Sequence, residues 1–546
     1  MSSDNSYNYN TQNEPFTFMF DDARHAASLY AMEPPLEPDD LLLNVDQLVD
    51  TGIDALFYWA GLEGGTVLYD SKVAQRWGDN VTKWTHSVWY RASRNILDMI
   101  DRGHDPLELI CQRCNDKGIL LIASNWVNFD GGDRETSGGL GRKSDFVYDN
   151  PEFQVGEEHD PRAESSGMAP TWRFNFLHEA VRRERFLVFE EFLSKYQTDG
   201  IMLDMINFAP FSKFNEVDIL APILTQWLRD LRKVALEAES KQTRRKRIYV
   251  TIPPSQKDWD MLGYDVSTWV SEKLVDGIIC QPGLKFSPMD QHFDLSDASN
   301  VVNQTECKFF VAFRSLIGRG EQRSATPEMT WAAAANAYSQ GAHGFGIGDA
   351  AWIPNGWPWT KDEYTTLRIL GHPDMLDTAN KNYRISSLPY GESGPLPWAP
   401  GETDYLPKTL VEKKPISLSM HISDNLKHWH QLGRIESVTI ELRITSIEAS
   451  LNDLRVEING HTLSDSMLKL SDMTYRLLDI GNPGPYGYIY EYTLTPEFFP
   501  EQGSNTITVT LDERDKNIEA DFDLYDVDCK IKYNLHKHFK NKPINF

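Results

Sequence analysis

The pattern of hydrophobic and polar positions changes once along the chain, near residue 385. Before that point, short continuous apolar runs alternate with segments of helical periodicity. The runs are FTFMF, GIDALFYWAGL, GILLIASNWVNF, DGIMLDMINF, RIYVTIPP, DGIICQPG, KFFVAFRSLIG and GAHGFGIGDAAW. Continuous apolar runs are typical of strands buried on both faces of a parallel sheet. Eight such strands, most preceded by a helical segment, predict an α/β fold, a (β/α)₈ TIM barrel with insertions.

A doubly wound open sheet is the alternative, but no G-x-G-x-x-G loop follows the first strand. Residues 386–408 are rich in Pro and Gly and have no periodicity, which indicates a linker. Beyond them ESVTIELRIT, LRVEINGHT, YIYEYTL, NTITVTL and FDLYDVDCKIKYN alternate with period two, as in an antiparallel β-sandwich. We therefore expect a flexible tail (1–14), a barrel carrying the active site (15–385), a linker (386–408) and a β-sandwich domain (409–546).

The composition argues against some classes of binding partner. The chain has 54 Lys+Arg and 80 Asp+Glu, a formal net charge of −26, which argues against nucleic acid as a partner. The basic stretch 241–247, KQTRRKR, is interpreted as a solvated loop. No apolar run is long enough for a membrane span. The polar N-terminus lacks the apolar core of a signal peptide, which leaves a cytoplasmic protein or a secreted or periplasmic one whose signal was removed. The oligomeric state stays open.

The five cysteines are scattered and odd in number, so they do not form a disulfide framework. Cys111 and Cys114 form a C-x-x-C without a second pair to complete a zinc site, and a structural role in a helix is expected. The sequence predicts no metal and no organic cofactor.

Active sites of barrels lie at the C-terminal ends of the strands. The candidates found there combine carboxylates, amides and aromatic rings. We predict Asp204, Asp349 and Asp22 as catalytic residues, and as substrate-binding residues Tyr58, Trp59, Asn125, Trp126, Asn128, Asn207, Arg314 and Trp352. Aromatic rings stack on the apolar face of a sugar, and polar groups bind its hydroxyls. Hydrolysis of a glycosidic bond needs two flanking carboxylates.

Each candidate also has a structural interpretation. Asp204 closes an apolar strand and otherwise caps the following turn. Asp22 is balanced between substrate binding and a cap for RHAASLY. Asp349 follows GAHGFGIG, whose glycines are interpreted as letting a ligand approach the backbone. The partner of Asp204 is left open among Asp22, Asp130, Asp294 and Asp349.

The chain resembles glycoside-hydrolase-like TIM-barrel proteins that carry a C-terminal β-sandwich. The resemblance rests on SNWVNFD, FNFLHEAVRRERFLVFEEFLSKYQTDGIMLDM, LGYDVSTWVSEKLVDGII, AAAANAYSQGAHGFGIGD and the tail RVEINGHTL…GSNTITVTL…LYDVDCKIKYN. It covers nearly all of the chain beyond residue 15. It implies the barrel, a glycosidase activity, and Asp204 as the catalytic candidate of the D-G-I-x-L-D strand.

The same strand resembles the chitinase pattern D-G-x-D-x-D-x-E through Asp199, Gly200 and Asp204. Met202 and Ile206 stand at its second Asp and its catalytic Glu, which speaks against a chitinase-type mechanism. Barrels of the α-galactosidase kind pair a strand-four Asp with a strand-six Asp. Here strand six ends in Gln281, and Asp290 or Asp294 could serve only from its loop.

The sequence thus predicts a glycosidase that cleaves an oligo- or polysaccharide with two carboxylates. Its alternatives are a carbohydrate-binding barrel without catalysis, or a barrel lyase or isomerase acting on sugars.

Overall fold

The computed structural model describes residues 17–23, 29–156, 172–281, 289–313, 316–317, 323–348, 359, 361–385, 406–472, 477–479, 482–483 and 486–538. The predicted tail (1–14) and the greater part of the predicted linker lie outside these ranges. The division of the chain at these points therefore stays a prediction.

Eight parallel strands close into a barrel in the order β1-β8-β7-β6-β5-β4-β3-β2. The strands are β1 (Thr17–Asp21), β2 (Ala55–Trp59), β3 (Leu120–Trp126), β4 (Gly200–Asp204), β5 (Arg247–Ile252), β6 (Gly277–Cys280), β7 (Lys308–Phe313) and β8 (Gly344–Gly348). Nearly every strand residue is buried, as expected for strands covered on both faces. The predicted TIM barrel is confirmed, and the open sheet is excluded.

Helices connect the strands. They are α1 (Pro38–Asp46), α2 (Ser87–Asp101), α3 (Pro106–Lys117), α4 (Arg134–Ser137), α5 (Asp145–Asp149), α6 (Glu179–Ser194), α7 (Val217–Gln242), α8 (Gln256–Leu262), α9 (Val266–Ser271), α10 (Ser296–Val302), α11 (Pro327–Ser339), α12 (Lys361–Leu370) and α13 (Pro373–Leu376). Local sequence sets several ends. In α3, Asp105 accepts from the Leu107 N–H, Pro106 occupies the first turn, and Gly118 ends the helix with a left-handed backbone. No helix in the described ranges is long and apolar enough to cross a membrane.

Aromatic rings fill the barrel. Phe57 lies 4.7 Å from Phe18 and 5.2 Å from Tyr249 between ring centroids, and Tyr249 lies 6.0 Å from Phe310. A methyl group on Gly346 would overlap the Phe18 ring. The interpretation of the strand-eight glycines as a route for a ligand is therefore wrong for Gly346, whose missing side chain makes room for a core ring.

Basic residues close the opposite, N-terminal end of the barrel. Lys246 is buried and donates to the carbonyl oxygens of Tyr196 (3.1 Å) and Thr198 (2.6 Å). Arg244 forms a 3.2 Å ion pair with Asp199, which also accepts from the Leu121 N–H at 2.9 Å. The expectation that residues 241–247 form a solvated loop is therefore wrong. The carbonyl oxygens of Tyr196 and Thr198 and the buried Asp199 carboxylate need hydrogen-bond donors, and Lys246 and Arg244 supply them.

The described part of the C-terminal region contains two large antiparallel sheets, which confirms the predicted sandwich, and a small pairing of Leu477–Asp479 with Asn482–Pro483. The first has the order β9-β18-β12-β16-β15, with β10 also paired to β18; the second has the order β11-β17-β13-β14. The strands are β9 (Lys381–Ile385), β10 (Lys408–Thr409), β11 (Ile416–Ile422), β12 (Ile435–Thr445), β13 (Asp453–Ile458), β14 (His461–Thr462), β15 (Leu468–Asp472), β16 (Gly487–Thr493), β17 (Gly503–Glu513) and β18 (Asp523–Tyr533). A short helix, α14 (Leu426–Gln431), follows β11.

Burial alternates along these strands, as in β11, so their inward residues form a second core with the sheets on either side. Strand β9 falls within the range predicted for the barrel but pairs with β18. The barrel is joined to this domain by polar contacts. Asn336 of α11 donates to the His421 carbonyl at 2.9 Å and accepts from the Ser423 N–H at 3.1 Å.

Candidate functional site

Register decides which strand-end side chains face the barrel interior. Trp59 is level with Ser124, and Trp126 with Asp204, which in turn is level with Thr251. Side chains alternate between the two faces of a strand, and Phe57 contacts Tyr249 across the interior. Trp59, Trp126, Asp204 and Thr251 therefore belong to the inner face at the C-terminal ends of β2 to β5.

Asp204 is fully buried and held by its neighbours. Its Oδ1 accepts from the Asn207 N–H at 3.1 Å and from Thr251 Oγ1 at 3.1 Å. Its Oδ2 accepts from the Asn207 side-chain amide at 2.8 Å. Hydrogen bonds donated to a carboxylate stabilise its ionised form and fix its orientation. The hydrogen bond from the Asn207 N–H is the turn cap that the structural interpretation predicts. The hydrogen bonds from the Asn207 side chain and from Thr251 are not part of a turn cap.

Thr251 is a site residue that the sequence reasoning missed. Its hydroxyl accepts from the Met205 N–H at 3.0 Å and donates to Asp204 Oδ1. The available signal was its position, a polar residue near the end of the apolar run RIYVTIPP. Nothing in that run indicates that Asp204 is its partner, because the two residues lie 47 positions apart.

An aromatic row leads from the barrel core to the loops. Phe20 lies 5.0 Å from Trp59, Trp59 lies 6.4 Å from Trp126, and Trp126 lies 5.9 Å from Phe208, measured between ring centroids. The Trp59 Nε1 is buried and has no hydrogen-bond partner among the described residues. A buried donor without a partner is uncommon and indicates a place for a ligand or water.

The loop after β3 carries ion pairs. Asp130 contacts Arg173 at 2.5 Å and Lys143 at 3.0 Å, and Glu63 contacts Arg142 at 2.6 Å. The Arg173 guanidinium also lies 4.6 Å from the centre of the Phe208 ring. Burial lowers the pKa of Arg173, against the attraction of Asp130. Both Asp130 oxygens contact cations, so Asp130 is already paired.

Asn128 connects the segments that follow β3 and β4 through hydrogen bonds of its side chain. Its side-chain amide donates to the Pro210 carbonyl at 2.9 Å, and its Oδ1 accepts from the Phe129 N–H at 2.7 Å and the Phe174 N–H at 3.2 Å. These bonds connect the segments after β3 and β4. The structure thus gives Asn128 a positioning role, and its predicted contact with substrate stays a prediction.

Tyr58 and Asn125 lie on the opposite faces of their strands from Trp59 and Trp126. Burial raises the pKa of Tyr58 well above its ordinary value, and the charges of Asp21 and Asp22 raise it further. Because Trp59 faces the barrel interior, the neighbouring Tyr58 side chain faces the helices outside the barrel. A methyl group on Gly61 would overlap the Asn125 amide. The structure does not bring these two side chains together with Asp204.

Asp22 is buried directly after β1. The preceding Asp21 caps the turn through a hydrogen bond from the Ala23 N–H at 2.7 Å. Asp290 and Asp294 make local turns, accepting from the N–H groups of His292 and Ser296 at 2.9 Å each. The predicted residues Arg314, Asp349 and Trp352 lie outside the described residues.

No described cluster of His, Cys, Asp or Glu has the arrangement of a metal site. Cys111 and Cys114 are buried in α3, and burial raises the pKa of both thiols. Neutral buried thiols act as small apolar side chains in the helix packing, in line with the expected structural role.

No protein-family model matches the chain, and no curated protein matches it in sequence. Solved structures do match. A cycloisomaltooligosaccharide glucanotransferase from Paenibacillus sp., complexed with cycloisomaltoheptaose, is 9% identical over 96% of this chain and 58% of its own, with a TM-score of 0.34. Alpha-L-fucosidase isoenzyme 2 from Paenibacillus thiaminolyticus is 11% identical over 66% of this chain and 48% of its own, with a TM-score of 0.39. This chain therefore spans about half the length of these two enzymes.

The PgaB (BpsB) glycoside hydrolase domain from Bordetella bronchiseptica is 12% identical over 66% of this chain and 99% of its own, with a TM-score of 0.38. The chain is thus similar in structure to TIM-barrel glycoside hydrolases, which is the resemblance that the sequence predicts. At these identities and TM-scores the likeness carries no argument about activity or substrate.

Proposed function

We propose that the protein is a glycoside hydrolase whose reaction takes place at the C-terminal ends of β2 to β5. The observation that supports this most strongly is Asp204, a buried carboxylate at the end of β4, oriented by Asn207 and Thr251. It lies level with Trp126 on the neighbouring strand. Hydrolysis of a glycosidic bond needs two carboxyl groups in fixed positions, and Asp204 is suited to be one of them.

Asp204 serves as nucleophile or base in this proposal. Its donors stabilise the ionised carboxylate, and both roles use that form. The second carboxylate, which protonates the leaving oxygen, is Asp22 or Asp349. Asp22 is a buried carboxylate on the same side of the barrel. Burial favours the protonated form that an acid needs.

The aromatic row holds the sugar. The rings of Trp59 and Trp126 provide the apolar platform, and the Trp59 N–H is a donor without a partner in the described part of the chain. Asn207 is placed to orient Asp204 and to meet a hydroxyl. The chemistry needs neither a metal nor an organic cofactor. We assign this site to the barrel, which ends before β9, and a packing or sugar-binding role to the β-sandwich.

A carbohydrate-binding barrel without catalysis is the second candidate. It is favoured by the contacts that already occupy both Asp204 oxygens, since one of them caps a turn, and by the two cations that neutralise Asp130. In this case the same rings bind sugar, and no bond is cleaved.

A product assay separates the candidates. The full chain is incubated with a panel of oligosaccharides and aryl glycosides, and the release of reducing ends is measured beside the thermal shift caused by each sugar. The proposal predicts release that depends on Asp204. Thermal shifts without any product would support the binding protein, whereas an unsaturated or rearranged product would assign a lyase or isomerase.

A further inference from the structure

A cavity with a volume of about 570 Å³ lies between the barrel and the β-sandwich domain. Helix α11 contributes Ser339 from one side, and the segment after β11 contributes His428 and Trp429 from the other. Its volume falls within the range of about 300–1,000 Å³ that is usual for small-molecule sites. None of its lining residues belongs to the strand ends around Asp204.

The charges in the cavity disfavour a cationic ligand. The Lys381 ammonium is buried, pairs with Asp424 at 2.8 Å and lies 5.1 Å from the centre of the Tyr533 ring. The Arg434 guanidinium lies 5.9 Å from the Trp429 ring. Lys381 thus already occupies the position where Asp424 would hold a ligand cation, and Arg434 lies near the Trp429 ring that could otherwise hold one.

An anionic ligand is disfavoured by carboxylates. Asp424 and Asp377 both line the cavity, against the single ammonium of Lys381. The two Asp424 oxygens are already used, because they accept from Lys381 and from the hydroxyls of Tyr533 and Tyr383. Asp377 adds a second carboxyl group, whose pKa is raised by burial, so the lining offers a phosphate or a carboxylate no cation beyond Lys381, which is already paired.

The remaining polar lining combines hydroxyl and amide groups with an imidazole ring and offers both donors and acceptors. It includes the His428 ring, the Asn425 amide, the Ser339 hydroxyl, which also donates to the Asn336 carbonyl, and the Gln502 amide, which also donates to the Ser423 carbonyl. Mixed donors and acceptors beside an indole ring suit a ligand that carries many hydroxyls on an apolar ring. We propose that this cavity is a binding site for a neutral mono- or disaccharide, separate from the barrel mouth.

The cavity lies away from the proposed reaction. Helix α11 ends at Ser339, and β8 begins at Gly344. The start of a barrel strand marks the N-terminal face, whereas Asp204 ends its strand at the C-terminal face. The proposal therefore does not rest on glycosidase activity, although both sites would take sugars.

The test measures sugar binding by calorimetry on the full chain carrying Asp204→Asn, so that no turnover occurs. The probes are D-glucose, D-galactose, L-fucose, maltose, cellobiose and lactose, together with D-glucuronate and D-glucosamine as charged analogues of glucose. Ser339→Trp places an indole in the cavity and is expected to weaken binding of the neutral sugar at least about tenfold.

Ser271→Trp is the matched control. Ser271 is exposed at the end of α9 and donates to the carbonyl three residues before it, as Ser339 does at the end of α11. It should leave the affinity unchanged. Gln502→Ala at the rim tests the same site without adding bulk. The proposal is overturned if no neutral sugar of the panel binds at millimolar concentration, if Ser339→Trp leaves binding intact, or if a charged analogue binds more tightly. Reducing-end release by otherwise wild-type Ser339→Trp reports separately on the barrel mouth.

Discussion

Asn207 donates to both oxygens of Asp204, through its backbone N–H to Oδ1 at 3.1 Å and through its side-chain amide to Oδ2 at 2.8 Å. The backbone donor remains in any variant, but the amide does not. Asn207→Ala should therefore leave the turn in place and remove one donor from Asp204 Oδ2. Release of reducing ends should fall about tenfold to 100-fold, because one charge-assisted hydrogen bond that positions the carboxylate is lost. Unchanged kinetics would show that this amide has no positioning role.

Thr251→Val should destabilise the barrel by about 1–3 kcal/mol. The hydroxyl accepts from the buried Met205 N–H and donates to Asp204, and valine leaves both groups without this partner. Urea unfolding measures the loss. Thr251→Ser keeps the hydroxyl and is the control, and equal losses in the two variants would show that the methyl group, not the hydroxyl, matters.

Trp59→Phe and Tyr58→Phe should differ although the residues are neighbours. Trp59 faces the barrel interior and Tyr58 faces the helices. Both side chains carry a buried polar atom without a hydrogen-bond partner in the described part of the chain, so the face decides which of them can meet a substrate. In the assay of reducing-end release, we expect Trp59→Phe to raise KM for the substrate at least about fivefold. Tyr58→Phe should leave KM within about twofold. The predicted substrate contact of Tyr58 would be supported if the second variant weakened binding as much as the first.

Lys381→Met should lower the free energy of unfolding by about 3–5 kcal/mol. Lys381 and Asp424 are each 1% exposed, and removing one partner leaves a buried charge. Lys427→Met is the control, since Lys427 and Glu501 are 65% and 67% exposed and such pairs contribute about 0–1 kcal/mol. Equal unfolding midpoints in urea for the two variants would show that the buried Lys381–Asp424 pair contributes no more to stability than an exposed pair.

Tyr383 should make stability fall at alkaline pH. Burial raises the pKa of Tyr383 well above its ordinary value of 10.0, and Asp424 raises it further. Above about pH 10 this tyrosine ionises in the unfolded chain but not in the folded chain. Raising the pH therefore stabilises the unfolded state relative to the folded state. Relative to Tyr383→Phe, the free energy of unfolding of the wild type should fall by about 1.4 kcal/mol per pH unit. If the free energies of unfolding of the wild type and Tyr383→Phe changed in parallel between pH 9 and 11, this prediction would be wrong.

The sequence predicts the barrel because buried parallel strands need continuous apolar runs, as GIMLD in β4 shows. It does not predict β11 or β15, whose mixed sequences ISLSMHI and LKLSD become strands through pairing with β17 and β16. Candidate residues at strand ends are predictable as a group. Their faces are not, because a shift of one residue exchanges Tyr58 for Trp59. The partners of Asp204 depend on register between strands, which the sequence does not contain.

The most direct test of the central claim compares Asp204→Asn with Asp199→Asn. Both carboxylates are buried and flank the same strand, Asp204 at its C-terminal end and Asp199 just before its start. The measurement is kcat/KM for reducing-end release, per folded molecule, on the best substrate of the panel. The account predicts a loss of at least about 10³-fold for Asp204→Asn and little change for Asp199→Asn. Retained activity in Asp204→Asn, or equal losses in both variants, would contradict it.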